Sequence, residues 1–317
     1  MNHGNISPEI AKGLLALQKR IEAANIPSSK IDETLNIATW NIREFGKKPR
    51  TEAAIHYVAE ILGQFDLIGV VELRDNLSDL KRALDILGPY WRAVYSDMIP
   101  DAGGNRERVA YIYDKRAVTF NGLAAEANEP RKKKGHEYLS EASFWRAPYL
   151  ASFRAGNFDF VVLTTHIRWG KNNKARIAEL QMLADWVDGK RNEKHAEDKD
   201  LIVMGDFNIP EINDDFYKAI TNRGLQMPEA LAGLEHGTNL KKNMRYDQIL
   251  HYPTFEKKFT NAGGSVDFFI SDEYIKELFP KGMTRTQFTY QLSDHLPLWM
   301  QINTDVDDMK LEQIIRG

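Results

Sequence analysis

The sequence predicts one large α/β unit, on two observations. Nine strand-like runs rich in β-branched and aromatic residues are interleaved with five stretches of helical periodicity along the 317 residues. Polar residues able to bind a metal or move a proton close several of the apolar runs, from Asn41 to His295, and a boundary in mid-chain would split that set.

Residues 1–30 read as an N-terminal helical extension and residues 31–317 as a single domain. The extension carries the first helix, Pro8–Ala24, where acids and bases punctuate the apolar positions. Strands follow at Leu35–Asn41, Leu67–Glu72, Trp91–Tyr95 and Val109–Tyr113, with helices at Thr51–Gly63 and Leu77–Leu87 between them. Further strands are expected at Tyr149–Phe153, Phe158–Thr165, Leu201–Gly205, Tyr246–Leu250 and Leu298–Ile302, and helices at Ala175–Lys194 and Asp214–Asn222. In Ala175–Lys194 the residues Ile177, Leu180, Leu183, Ala184 and Val187 share one face. The stretches Asp114–Tyr149 and Gly224–Tyr246 read as long loops without linker composition.

Composition is that of an ordinary globular chain, 43% hydrophobic and 27% charged. No run approaches the roughly 18 apolar residues that span a bilayer, so no membrane partner is expected. The N-terminus lacks the apolar block of a signal peptide. A signal removed ahead of Met1 would leave no trace, so a cytoplasmic and an exported location both stay open. The absence of cysteine excludes disulfides, zinc–thiolate sites and thiol nucleophiles. With a net charge of −3 there is no global basic field, so any polyanion must be gripped locally. The one dense basic cluster, Arg131–Lys134, reads first as a solvated loop and second as a phosphate contact.

The chemistry-bearing residues are Asn41, Glu72, Asp206, Asn208, Asp247 and Asp294, with His166 and His295. Oxygen ligands without thiolates suit Mg²⁺, Mn²⁺ or Ca²⁺ better than zinc. Such sites usually handle phosphate esters, and a carboxylate-held histidine supplies proton transfer near neutral pH. Singly, each motif has an ordinary explanation: Asn41 as a turn cap, Glu72 as a strand-end charge, GDFN as a tight turn, Asp294–His295 as a solvated corner. Together, in one order and each at a strand end, they describe a pocket. His56, His136, His195, His236 and His251 lack such a context and read as surface or satisfied side chains.

The residues NIREFG (from Asn41), VELRD (from Val71), RER (Arg106–Arg108), GDFN (from Gly205), RYDQIL (from Arg245) and SDHLP (from Ser293) resemble those of the endonuclease/exonuclease/phosphatase superfamily, in particular its deoxyribonuclease-I-like branch. The resemblance runs from about Leu35 to Ile302. It implies a four-layered sandwich of two packed, mainly antiparallel β-sheets with helices outside. It implies that Glu72, with Asn41 beside it, holds a divalent metal, with Asp294 in the metal and water network. Asp206 and Asn208 would orient the attacking water, and His166 and His295 would act as acid and base or as phosphate ligands. Glu107 would orient His166, and Asp247 would orient His295. Arg43, Arg74 and Arg146 match positions that contact the nucleic-acid backbone.

Two departures bear on these roles, and one assignment has a rival. Asn105 replaces a tyrosine that stacks near the cleaved phosphate, and IRWG follows His166 in place of Ser-Ala-Pro. A rival to Asp247 is Asp267 in GGSVDFFIS; Asp247 is preferred because it sits inside a β-rich strand, whereas SVDFF reads as a packing segment. The implied activity is Mg²⁺-dependent hydrolysis of DNA phosphodiesters by a monomer that grips the phosphate backbone. Little sequence specificity is expected, because nothing resembles a major-groove recognition helix. The alternatives are a phosphatase or phospholipid diesterase of the same superfamily and a catalytically inactive binding module.

Overall fold

A computed structural model describes residues 1–98, 106–128, 133–134, 137–138, 143–196, 198–234, 237–252 and 258–316. Asn105, Arg131, Lys132, His136 and His236 lie outside the described residues. In chain order the elements are α1 (Pro8–Glu22), β1 (Thr34–Phe45), α2 (Glu52–Leu62), β2 (Leu67–Leu73), α3 (Ser78–Leu87), β3 (Trp91–Tyr95), β4 (Arg108–Asp114) and β5 (Thr119–Glu126). They continue with β6 (Lys133–Lys134), β7 (Glu137–Tyr138), β8 (Tyr149–Ala155), β9 (Phe158–His166), α4 (Asn173–Arg191), β10 (Leu201–Asp206), α5 (Asp215–Thr221) and α6 (Glu229–Ala232). The last are β11 (Asp247–Leu250), β12 (Phe259–Ser265), α7 (Tyr274–Leu278), α8 (Arg285–Gln291), β13 (Leu298–Asn303) and α9 (Asp307–Arg316).

Two sheets stack face to face. One has six strands in the order β12-β13-β1-β2-β4-β3, the other five in the order β11-β10-β9-β8-β5. Each contains a single parallel pair, β1 with β2 and β9 with β10; the remaining neighbours are antiparallel. Apolar side chains of both sheets interleave between them, Leu35, Ile37, Tyr111, Phe153, Phe160, Met204 and Met300 among others. The outer face of the first sheet packs on α1, α2 and α3 through Trp40, Ile68, Leu14 and Tyr57. The outer face of the second packs on α4 and α5 through Leu163, Leu183 and Phe216. This is the helix–sheet–sheet–helix sandwich. Both faces of each central strand are covered, which is why β2 and β10 read as nearly unbroken apolar runs.

The helix α1 is capped by Ser7, whose hydroxyl accepts from the Ile10 N–H, and buries Ile10, Leu14, Leu17 and Ile21 in the same cluster as α2 and α7. The expected long loops are corrected in part. Asp114–Tyr149 contains β5, and Gly224–Tyr246 contains α6. Edge strands β5 and β12 escaped the sequence reading because an edge needs fewer apolar positions; β12 is FTNAGGS. The helices α6, α7 and α8 are too short, at 4, 5 and 7 residues, to show periodicity.

Gly205 is where the second sheet leaves no room. Its φ is +136°, and a Cβ there would sit 2.0 Å from the Thr165 carbonyl oxygen of the neighbouring strand. Gly205→Ala should lower stability by about 2 kcal/mol or more through overpacking and backbone strain. A urea midpoint equal to that of the wild type would show that the β9–β10 pair tolerates the methyl group.

Candidate active site

Strand alternation decides which side chains emerge at the sandwich edge. In β1, Leu35 and Ile37 face the opposite sheet and Ala38, Trp40 and Ile42 face the helices, so Asn41 closes the row between the sheets. The same count carries His166 off the end of Phe158, Phe160 and Val162, and Asp206 off the end of Ile202 and Met204. It places Asp247 before Ile249, and Glu107 before Val109 and Tyr111. Glu72 has the opposite parity, since Ile68 and Val70 face the helices. Its backbone enters the left-handed region at φ +64°, and the β1–β2 register shifts beyond Asn41. The carboxylate is thereby turned back to Asn41, whose Nδ2 donates to Oε1 at 3.1 Å. A left-handed glutamate costs about 1–3 kcal/mol, a strain typical of functional sites.

Two imidazoles flank Asp206. His166 has Nδ1 2.8 Å from Glu107 Oε2 and Nε2 3.6 Å from Asp206 Oδ2. His295 has Nδ1 2.8 Å from Asp247 Oδ2 and Nε2 3.8 Å from the same Asp206 oxygen. Asn41 Nδ2 donates to that oxygen at 3.0 Å. The other Asp206 oxygen accepts the Asn208 N–H at 2.9 Å, and the Asn208 amide donates to the Ile167 carbonyl at 2.7 Å. Asp267 lies elsewhere, paired with Arg20 at 2.6 Å and Lys242 at 2.7 Å.

Burial opposes every charge here, and pairing decides the outcome. Against burial, His166, Arg146 and Arg74 hold the Glu107 carboxyl at about 2. The His166 imidazole is raised because Glu107 outweighs burial. Burial also works against His295, but Asp247 and Asp206 push it up to about 10. At Asp206, burial reinforced by Asp247 prevails over the two imidazoles and raises the carboxyl. Glu72 is lowered despite burial by His166, the Glu44 N–H and the Asn41 amide.

The donor set fits a hard divalent cation. Asn41 Oδ1, beside Glu72, is buried without a hydrogen-bond donor, as is Asp247 Oδ1. Asp206, Asp247 and His295 each bring one ligand atom to within 4.8 Å of the others. Glu72 and Asn41 thus sit together at this edge. Asp294 lies on the outer side of the same edge: its side chain is 43% exposed and pairs with Arg43 Nη1 at 3.4 Å, and its charge acts on the His295 imidazole. The arginines also divide. Arg146 lies 2.8 Å from Glu107 and borders the pocket. Arg43 stands at the rim, 4.0 Å over the Tyr290 ring. Arg74 is 5% exposed and faces Glu44 and Glu107 from beneath, so in this conformation it offers no surface to a phosphate backbone.

Sequence reasoning missed the residues that brace the site. The Ser293 hydroxyl donates to the Asn41 carbonyl at 2.5 Å and accepts the N–H groups of His295 and Arg43 at 3.0 and 3.3 Å. Trp40 Nε1 donates to the His295 carbonyl at 2.9 Å. Ser293 was within reach of the sequence as the first residue of SDHLP; the indole of Trp40, counted as core, gave no signal.

Residues 38–295 match the endonuclease/exonuclease/phosphatase family. The chain belongs to this family. A relative named deoxyribonuclease, from Thioalkalivibrio sp. (strain K90mix), is 31% identical over 206 residues, which span 60% of this chain and 50% of the relative. Among solved structures, the mannosyl-6-phosphatase of Bacteroides thetaiotaomicron superposes with a TM-score of 0.55 at 17% identity, covering 84% of this chain and 99% of that one. The catalytic domain of human nocturnin gives 0.53 at 15% identity, covering 87% and 96%. Both likenesses are of fold.

His166→Ala and His295→Ala should each reduce turnover about 10²–10⁴-fold with the circular dichroism spectrum unchanged; normal turnover would remove that histidine from the chemistry. Asp247→Asn should resemble His295→Ala, and the double variant should lose little more than either single one. Asp267→Asn should instead lower the melting temperature with little effect on turnover. Independent, additive losses at Asp247 and His295 would break the proposed pair.

Proposed function

We propose that this protein is a divalent-metal-dependent deoxyribonuclease that hydrolyses phosphodiester bonds with little sequence specificity, Mg²⁺ being the favoured ion. The observation that carries this reading is the pair of carboxylate-held imidazoles converging on Asp206 beside the donor-poor Asn41–Glu72 corner. The relative named deoxyribonuclease supports it, and so do the cations bordering the site. Arg43 and Arg146 stand at its margins, with Arg168 and Lys171 in the adjoining cavity.

Glu72 and Asn41 would hold the metal, which would supply neutralisation of charge on the phosphoryl oxygens. The protein's own groups do the rest. Asp206, steadied by the Asn208 N–H and the Asn41 amide, is placed to accept a proton from the attacking water. His166 and His295, oriented by Glu107 and Asp247, are placed to donate hydrogen bonds to the phosphate and a proton to the departing oxygen. Water adds to phosphorus, the ester P–O bond breaks, and one product ends in a hydroxyl, the other in a phosphate monoester. Catalysis of this kind is mainly positioning and charge stabilisation.

Plasmid DNA should be nicked in Mg²⁺ and left intact in EDTA, and inositol phosphates offered in parallel should be poor substrates. Release of phosphate from inositol phosphates without DNA cleavage would overturn the nuclease reading in favour of a phosphatase. Glu72→Gln should raise the Mg²⁺ concentration needed for half-maximal activity, with partial recovery in excess metal. A titration identical to the wild type would make Glu72 a structural strand end.

A further inference from the structure

Beside the candidate site, a cavity of about 400 Å³ is lined by Trp145, Arg146, Arg168, Trp169, Lys171 and Arg176 among others, with no acidic side chain among the described residues of its wall. Such a volume lies within the roughly 300–1,000 Å³ of small-molecule pockets. Two indoles stand open to solvent there, Trp145 at 53% and Trp169 at 64% exposure, whereas Trp40, Trp91 and Trp299 are buried in the core. Each indole carries a guanidinium, Arg168 at 5.1 Å from the Trp145 ring and Arg176 at 5.3 Å from that of Trp169.

This arrangement is held from below. Glu179 of α4, 1% exposed, accepts the backbone N–H of Trp145 at 2.8 Å with one oxygen and pairs with Arg168 Nε at 2.7 Å through the other. Arg176 is anchored in turn 3.8 Å over Phe216. The cavity also connects to the chemistry. Arg146 is shared with the Glu107–His166 pair, and Trp169 packs edge-on against Tyr246 at 5.5 Å, which lies 5.8 Å from His295.

We infer that this aromatic and cationic cavity is a stacking subsite for an unpaired nucleobase next to the cleaved phosphate, making single-stranded DNA the preferred substrate. The inference rests on the nuclease reading above. Cations alone would suit any phosphate backbone, but exposed indole faces reward only a base whose own face is free. In a duplex those faces are hidden in the stack, and extruding a base costs a few kcal/mol before the indole is reached. The cations of the wall would then hold the flanking phosphates, while the orientation set by Glu179 limits the ordering needed on binding.

The test compares kcat/KM on a single-stranded oligonucleotide and on its duplex for the wild type, Trp169→Ala, Trp145→Ala and Trp169→Phe. The wild type should favour the single strand. Each alanine variant should lower the single-strand to duplex ratio about ten-fold, the scale of one base–aromatic stack, and Trp169→Phe should keep most of it. A 2-aminopurine placed beside the scissile bond in EDTA should be quenched by the wild type and less so by the alanine variants. Wild-type preference for the duplex, or ratios and quenching unmoved by both alanine substitutions, overturns the stacking subsite while the nuclease reading survives. Failure of the wild type to cleave either substrate overturns both.

Discussion

The alternation of side chains along strands that are covered on both faces governs this molecule. Because two sheets face each other, every second residue of the central strands must be apolar, and the row can change character only where it runs out of the sandwich. Asp206, Asp247 and Glu107 occupy the first position beyond the apolar row, and Asn41 and His166 the next one after the buried Thr39 and Thr164. Their mutual distances are therefore set by the spacing of strands and sheets, which the packing of Met204, Phe160 and Ile37 fixes before any polar contact forms. A rigid scaffold of this sort delivers preorganisation without dedicated loops.

The electrostatics follow from the same placement. A group at the core's edge is mostly desolvated, so its charge survives only beside a partner. Glu107 satisfies this with three cations, His166, Arg146 and Arg74, and the histidines are oriented as a by-product of neutralising the carboxylates. Removing one member leaves the others buried and unpaired, so the network resists piecemeal change. Arg74 belongs to this internal balance, which explains why a residue adjoining the VELRD strand end is buried and not displayed.

Much of this was legible in the sequence, and for a physical reason. Seven of the nine strand runs became central strands, visible because both of their faces are covered, and the polar residues that end them stood out against that background. Edge strands β5 and β12 were hidden by the absence of the same requirement. Glu72 was found by its motif, although its parity points the wrong way; only the left-handed backbone at that residue explains its position. How deeply Arg74 and Asp294 lie was not legible, because a motif reports what residue is present and says little about its depth. Ser293 and Trp40 were missed because both act through backbone carbonyls, contacts that leave no pattern in residue type.

The order of strands has a consequence for how the molecule is made. β13, which follows every candidate site residue in the chain, lies inside the six-stranded sheet between β12 and β1, and pairs with β1 from Thr34 with Asn303 to Thr39 with Leu298. Until that segment emerges from the ribosome, β1 has an open edge, and Ser293 and His295 cannot yet clasp its end. Partly synthesised chains thus lack both a closed sheet and a complete set of reacting groups. Contacts so distant in sequence make folding slow, and they tie assembly of the candidate site to the pairing of β13 with β1.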